Sequence, residues 1–423
     1  MRILHICETT DKGGACIAGY RLHNNLIEKN IDSHFLFKQG LLSGKNTHKI
    51  PLYKLIFGKV YGTVNSILQF LLFGRSKRDY LFKSSFLHIS LNKEIQEIDP
   101  DIIQIHWLSP SFLNLKEILK LGKPIIFNLH DFKAFTSGCY YPNVCQKCMN
   151  INCCYTKCDH FDCSKKIAHQ CQTLESIKIP FLYEMYIKNK LKLISHSKGL
   201  LYYVGPSNWI VNECKKSVFI EKKENCFVIP NILNTTLSCK TLSIKDQNKT
   251  QKKIVLFAVA SSINDHRKGF KYVLDVASRL SNEIEFWVIG KNDNNIKHNG
   301  IRFLGHDFSQ KKMLSIIEKI DFAFVPSLQE NFSNLIFENL INSKPVISFD
   351  IGGNSDLIIH RENGYLIKSN EIKEIINGFL FMTNKENLDL LSKNCFNSVN
   401  KKYNSDLVLK KWLKLYKNIY VNH

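Results

Sequence analysis

Arginine is scarce in this chain. Of its 58 basic side chains, fifty are lysine and eight are arginine. Base-edge readout and bidentate phosphate clamps favour the arginine fork. A formal net charge of +21 carried by lysine therefore argues against sequence-specific nucleic-acid recognition and for diffuse attraction to an anionic partner. A lysine- and asparagine-rich genome accounts for the same charge equally well. Long apolar runs are missing too. The most apolar stretch, LYKLIFGKVYGTVNSILQFLLFG, is broken by Lys54, Lys59, Asn65 and Gln69. Nothing reaches the roughly eighteen uninterrupted apolar residues of a membrane span. The opening MRILHICETTDKGGA has no basic region, long apolar run or small-residue cleavage site, so it does not read as a signal peptide. A reducing, cytoplasmic setting is expected, with cysteines as free thiols or metal ligands rather than disulfides. Internal repeats and low-complexity tracts are absent. Clustered carboxylates for a divalent cation are also lacking. The acidic pair Asp99-Pro100-Asp101 precedes a buried strand and reads as a turn.

The 423 residues are too many for one ordinary core and fit two domains. A hydrophobic share of 44% beside 22% charged is globular. Short runs rich in Ile, Val and Phe recur along the chain: RILHIC, DIIQIHW, PIIFNLH, LLYYVGP, CFVIPN, KIVLFAVA, IEFWVIG, IRFLG, FAFVPS and PVISFD. Continuous apolar runs of four to eight residues, most closing on Gly, Pro, His or Ser, mark strands buried on both faces of a parallel sheet. Between them, segments such as KYVLDVASRLSN and QKKMLSIIEKI have helical spacing. The fold class is α/β, with two Rossmann-like doubly wound domains. The polar stretch from Asn234 to Lys253 reads as a linker. We place the N-terminal domain at 1–236 and the C-terminal domain at 237–404. A last helix, 405–423, is expected to pack back on the first. Two such domains predict a cleft, with ligands at the carboxyl ends of the strands.

The densest chemistry lies in PSLQENFSNLIFENLINSKPVISFD, Pro326 to Asp350. A strand ends at Pro326, a loop carries Glu330, and a helix is expected from Ser333, a good N-cap. Glu338 falls in its second turn and leans back toward the loop. Ser333, Asn334 and the N–H groups of the helix start suit a phosphate. A carboxylate suits the vicinal hydroxyls of a ribose. The pattern fits a nucleoside diphosphate sugar better than two solvated glutamates. Upstream, Arg267 and Lys268 precede Gly269 at a helix start, where two cations can hold a diphosphate and stabilise it on departure. In the first half, Gly13 and Gly14 follow the first strand without completing a dinucleotide fingerprint; a plain turn explains them as readily. His130 and Asp131 end another strand, on the rim of the expected cleft. Alone, such a histidine is as readily structural.

Seven of the fourteen cysteines crowd Cys139 to Cys163, within an insertion spanning 139–171. Cys145-x2-Cys148 and Cys154-x3-Cys158 have roughly the spacing of a structural zinc site. Cys153 and Cys163 are spare ligands, and free thiols and a disulfide remain alternatives.

Taken together, RILHI…GGA, PDIIQIHW, PIIFNLHD, VGPSNW, VIPN, RKGF, FLG and the Glu330–Glu338 segment resemble, over essentially the whole chain, the retaining GT-B glycosyltransferases of family four. HDFKAFTSGCYY is most similar to the colanic-acid and capsule branch. The resemblance implies transfer of a sugar from a nucleoside diphosphate sugar to a glycan or lipid-linked saccharide in bacterial surface polysaccharide synthesis. It implies Glu338 on the ribose, Glu330 beside the donor sugar, Arg267 and Lys268 on the diphosphate, and His130 near the reaction centre. Gly13 and Gly14 would lie near the phosphates or acceptor. It implies catalysis without a metal, and adds Cys139 to the candidate zinc ligands Cys145, Cys148, Cys154 and Cys158. Relatives often read EAxxxGxPV where this chain has ENLINSKPV, so Asn339 and Ser343 stand in place of small residues.

Two other readings stand beside it. A nucleotide-sugar epimerase shares the architecture, and a zinc-bearing nucleic-acid binder would use the cysteines; the chain's few arginines disfavour the second. The segments Lys49–Lys83 and Lys178–Lys198 mix lysine with Leu, Ile, Phe and Tyr. They could dock on anionic lipid, making the protein peripheral on the inner face of the membrane, or bury one face while their lysines snorkel.

Overall fold

The computed structural model describes residues 1–10, 13–41, 44–73, 87–107, 114–136, 180–232, 252–306 and 309–423. The chain divides into two compact units, Met1–Leu233 with Val408–His423, and Asn234–Leu407. All the ten runs picked from sequence form strands.

The first unit holds a parallel sheet of β1 (Arg2–Thr9), β2 (Asp32–Gln39), β3 (Thr47–Lys49), β4 (Ile102–Ile105), β5 (Ile125–Asn128), β6 (Leu201–Gly205) and β7 (Cys226–Val228), in the order β3-β2-β1-β4-β5-β6-β7. Its described helices are α1 (Gly14–Glu28), α2 (Leu52–Phe73), α3 (Asn92–Ile98), α4 (Leu115–Leu119), α5 (Pro180–Ser195) and α6 (Asn208–Lys216). β4 and β6 are buried along their whole length, as strands covered on both faces must be. One layer of the core joins Leu4, Ile6, Ile103 and Ile105 to Ile95, Phe132 and Phe135. The opposite layer joins Ile3, Ile102, Ile126 and Tyr202 to Trp412, Tyr416 and Ile419 of the chain's last helix.

The second unit repeats the plan with β8 (Lys253–Ser262), β9 (Ile284–Lys291), β10 (Ile301–Gly305), β11 (Phe322–Val325), β12 (Val346–Phe349) and β13 (Gly364–Ile367), in the order β10-β9-β8-β11-β12-β13. Its helices are α7 (Phe270–Arg279), α8 (Gln310–Ile317), α9 (Asn334–Ile341), α10 (Asn354–Leu357), α11 (Ile372–Thr383) and α12 (Lys385–Tyr403); α13 (Ser405–Asn422) closes the chain. Phe286, Phe322 and Phe324 pack edge-on or tilted around Phe379 of α11.

In both sheets the strand order reverses beside the first strand of the unit, at β1/β4 and at β8/β11. The crevice at the carboxyl ends there is where doubly wound sheets take ligands. Gly13 follows β1 and His106 follows β4; Arg267 and Lys268 follow β8; Glu330 follows β11. β2, β3 and β13 were not among the runs legible in sequence. DSHFLFKQ begins and ends polar, and THK and the three-residue apolar run of GYLI are shorter than the four-residue strand signal.

Candidate functional site

In the second unit, two loops meet over the switch point. β8 runs into a short 3-10 turn, His266–Lys268, capped by Asp265, whose side chain accepts from the Arg267 N–H. The Arg267 guanidinium folds back on that cap, with Nη2 at 2.6 Å and Nε at 3.2 Å from the Asp265 carboxylate. Much of its charge is thus answered within its own turn. Gly269 ends the turn at φ 70°. A Cβ there would lie 2.0 Å from the Pro326 carbonyl oxygen, so only glycine lets this loop rest on the end of β11. The Leu328 N–H then donates to the Arg267 carbonyl at 2.7 Å.

That approach brings Lys268 to Glu330, 62 residues on: Nζ lies 2.8 Å from Oε2. Both side chains are half-buried. The Glu330 carbonyl also accepts from the Gly353 N–H at 3.1 Å. Three residues later Ser333 takes an extended backbone and caps α9, its hydroxyl accepting from the Ile336 N–H, as the sequence led us to expect. Asn334 opens the helix and Glu338 follows four residues later, on the same face. Both are half-buried. The Asn334 Oδ1 and both amide atoms of Gln329 are buried without a hydrogen-bond partner. Orphaned polar atoms of this kind mark places where water or ligand completes the bonding. Gln329 was missed from sequence, where it reads as an ordinary loop residue. Asp265 was missed because its role depends on the turn closing on itself.

In the first unit, Gly13 caps α1 at φ 78°, and Gly13 and Gly14 are both exposed. His130 follows β5. The residue as a whole is half-buried, and its Nε2 is buried without a partner. Burial pulls its pKa down to about 4, so the ring is neutral at pH 7. Burial pushes the neighbouring Asp131 carboxyl the other way, up to about 6, although it accepts the Lys133 N–H at 2.9 Å.

The His130 ring stacks on His106, with ring centroids 5.9 Å apart. His106 heads a buried chain of hydrogen bonds. Its Nδ1 accepts from Asn128 Nδ2 at 2.8 Å; the Asn128 Oδ1 accepts from Gln104 Nε2 at 2.9 Å; the Gln104 Oε1 accepts from the Tyr416 hydroxyl. With Nδ1 as acceptor, His106 carries its proton on Nε2 and donates to His5 Nδ1 at 3.1 Å. α1 closes over this histidine through Gly19, where a Cβ would lie 2.8 Å from the His106 ring. The sequence signal was there: Gln104 and His106 are polar residues in an otherwise apolar strand. What they touch was not readable.

The cysteine calls, Cys139, Cys145, Cys148, Cys154 and Cys158, lie outside the described residues. So does the expected linker as far as residue 251. Among the described residues, Cys7, Cys16, Cys214, Cys226 and Cys395 are free and buried, and no three potential ligands converge as for a metal ion.

Residues 252–385 match the family model described as Glycosyl transferases group 1. Over 393 residues the chain is 20% identical to the putative colanic acid biosynthesis glycosyl transferase WcaC of Escherichia coli K12, covering 89% of each. Over 164 residues it is 28% identical to an Escherichia coli UDP-Gal:alpha-D-GlcNAc-diphosphoundecaprenol alpha-1,3-galactosyltransferase, covering 36% of this chain and 41% of that one. Among solved structures, sucrose-phosphate synthase from Thermosynechococcus elongatus superposes with a TM-score of 0.63 at 13% identity, over 100% of both chains. At that identity the likeness speaks for the fold, which is GT-B. The named relatives are transferases, which weighs against the epimerase alternative.

Proposed function

We propose that this GT-B glycosyltransferase, with its group 1 domain at residues 252–385, moves a sugar from a nucleoside diphosphate sugar to a saccharide carried on a lipid or a growing glycan, in the synthesis of a bacterial surface polysaccharide. The observation that carries the reading is the ion pair of Lys268, just before the N-cap of α7, with Glu330, in the loop that leads into α9, built from two loops that the fold alone unites. An ammonium beside a helix N-terminus suits the donor's diphosphate. Glu338, on the same helix face as Asn334, suits the ribose hydroxyls. Gln329 and Asn334, with amide atoms still to be bonded, suit the hydroxyls of the donor.

In the reaction, the bond between the anomeric carbon and the donor phosphate oxygen breaks. The acceptor hydroxyl oxygen bonds that carbon, and its proton passes to the departing phosphate. Lys268 stabilises the charge that grows on the diphosphate. Retention of configuration comes with the family resemblance, as does the absence of a metal from the chemistry. His130, neutral at working pH, stays the candidate catalytic residue of the first unit.

Thermal-shift titration of the full chain with UDP-glucose, UDP-galactose and other nucleoside diphosphate sugars tests the reading. At least one should stabilise the protein, and Glu338→Ala should abolish that shift. Stabilisation by none of them, or an unaltered shift in the variant, would count against it.

A further inference from the structure

The proposed function gives work to His130 and leaves His106 without any. Yet His106 is buried, and both of its ring nitrogens are committed. Nδ1 accepts from Asn128 Nδ2, and Nε2 donates to His5 Nδ1. The direction of the chain is set at its far end. With the Tyr416 hydroxyl donating to Gln104 Oε1, Gln104 has only its amino group to offer the Asn128 Oδ1. Asn128 is then left with only its own amino group to offer His106. A second proton on His106 Nδ1 would face that Asn128 N–H. Burial and the neighbouring His130 hold the His106 pKa well below the ordinary histidine range as well. His106 is thus kept neutral, in one tautomer.

His130 hangs on the same asparagine. Its N–H donates to the Asn128 carbonyl at 3.0 Å, and the intervening Leu129 is buried and donates to the Val204 carbonyl at 2.8 Å. Its ring lies against His106, the planes inclined at 29°. His106 in turn has little freedom to swing. The His5 ring is 5.3 Å away at 27°, and α1 passes so close at Gly19 that a Cβ would meet the His106 ring. Two ring nitrogens of this group, His5 Nε2 and His130 Nε2, are buried without a hydrogen-bond partner among the described residues. His5 is wholly enclosed, whereas His130 is only half-buried. The His130 Nε2 is therefore the place where a ligand completes the bonding.

We propose that His106 is a positioning residue for the transfer reaction: fixed by the Tyr416–Gln104–Asn128 chain, it holds the His130 ring in the orientation in which Nε2 meets the reacting sugar. The inference rests on the proposed function for the role of His130. His106 touches no substrate and acts through its neighbour. Its neutrality matters too, because a protonated ring would set a cation against His130.

The test uses the full chain with 15N in its histidine rings. Asn128→Asp keeps the shape but replaces the donor to His106 Nδ1 by an acceptor, so that nitrogen must carry a proton. His106→Leu removes the ring. In both variants the His130 ring resonances, assigned by their absence from His130→Ala, should move. In Asn128→Asp the His106 Nδ1 resonance should become that of a protonated nitrogen. UDP release from UDP-glucose or UDP-galactose, with water as acceptor, should fall about ten- to a hundredfold in His106→Leu, while KM stays within about twofold of the parent's. A role in stability alone predicts lower melting temperatures with His130 resonances and kcat unaltered, and that result would overturn the proposal. Where His106→Leu does not fold, the isosteric Asn128→Asp decides by itself. The resonances are decisive whether or not either sugar nucleotide is turned over. Undiminished UDP release by His130→Ala would instead overturn the role given to His130, so failure of that reading and failure of the platform are distinguishable.

Discussion

If a diphosphate binds Lys268, it must compete with Glu330, and that competition is measurable. The pair spans 2.8 Å, with side-chain exposures of 27% and 17%. Such half-exposed pairs contribute about 1 kcal/mol once solvent screening is counted. That is the cost of freeing the ammonium, equivalent to about a fivefold change in affinity. A charge-assisted bond from Lys268 to a phosphate is worth about 1.5–3 kcal/mol. Lys268→Ala loses that bond but is also spared the cost of freeing the ammonium, a net of about 0.5–2 kcal/mol, and should therefore weaken UDP binding by about two- to thirtyfold. Glu330→Gln keeps the shape but removes the competing charge, and should tighten UDP by about two- to fivefold while lowering transfer, since Glu330 is expected beside the donor sugar. The two effects must not be independent. In a Lys268→Ala background, Glu330→Gln has no ammonium to liberate and should leave UDP affinity unchanged. Isothermal titration of the four proteins closes this cycle. Equal UDP affinity in the parent and Lys268→Ala would refute the argument, and so would a full Glu330→Gln effect in the Lys268→Ala background.

Three further outcomes follow from local geometry. Ser343 follows α9 in the left-handed region, at φ 58°; Ser343→Gly should stabilise the protein by about 1 kcal/mol, read as a higher denaturant midpoint. Tyr416→Phe leaves the buried Gln104 Oε1 without its donor and should cost about 1–3 kcal/mol, with a shift in the 15N resonances of His106 that a substitution outside the chain would not cause. Asp131 has its folded pKa raised from 3.8 to about 6, so the folded state holds more protons than the unfolded one between those values, and stability from this group falls as pH rises through the window. Asp131→Asn, which keeps the acceptor for the Lys133 N–H, should therefore stabilise the protein by up to about 3 kcal/mol at pH 7 and by well under about 1 kcal/mol at pH 4; equal effects at both pH values would contradict the burial argument.

Much of the fold was legible because buried parallel strands announce themselves. IIQI, LYYVG, FAFV and VISF leave no polar face to place in water, so they have to lie in the middle of a sheet. The helix cap at Ser333 was equally local, since N-cap preference depends on a few residues of sequence. The roles of single residues were less legible. Arg267 and Lys268 are adjacent in sequence and looked alike, yet one turns to Asp265 and the other to Glu330. Which way each points depends on the closure of the turn at Gly269 over Pro326.

The same division runs through the whole molecule. Sequence alone determined the alternation of strand and helix, the parallel sheets and the identity of the charged motif, because each rests on periodicity and propensity over a short window. Only the tertiary structure decided which distant groups touch. The Lys268–Glu330 pair joins loops after β8 and β11, and the Tyr416–Gln104–Asn128–His106 chain joins the last helix to two neighbouring strands. Which face of α2 looks outward was decided there too. Periodicity shows that a helix has two faces; only the packing of Leu55 and Tyr61 on the core, and the anchoring of Lys54 to Glu94 and of Asn65 to Leu87, show which of them the core has taken.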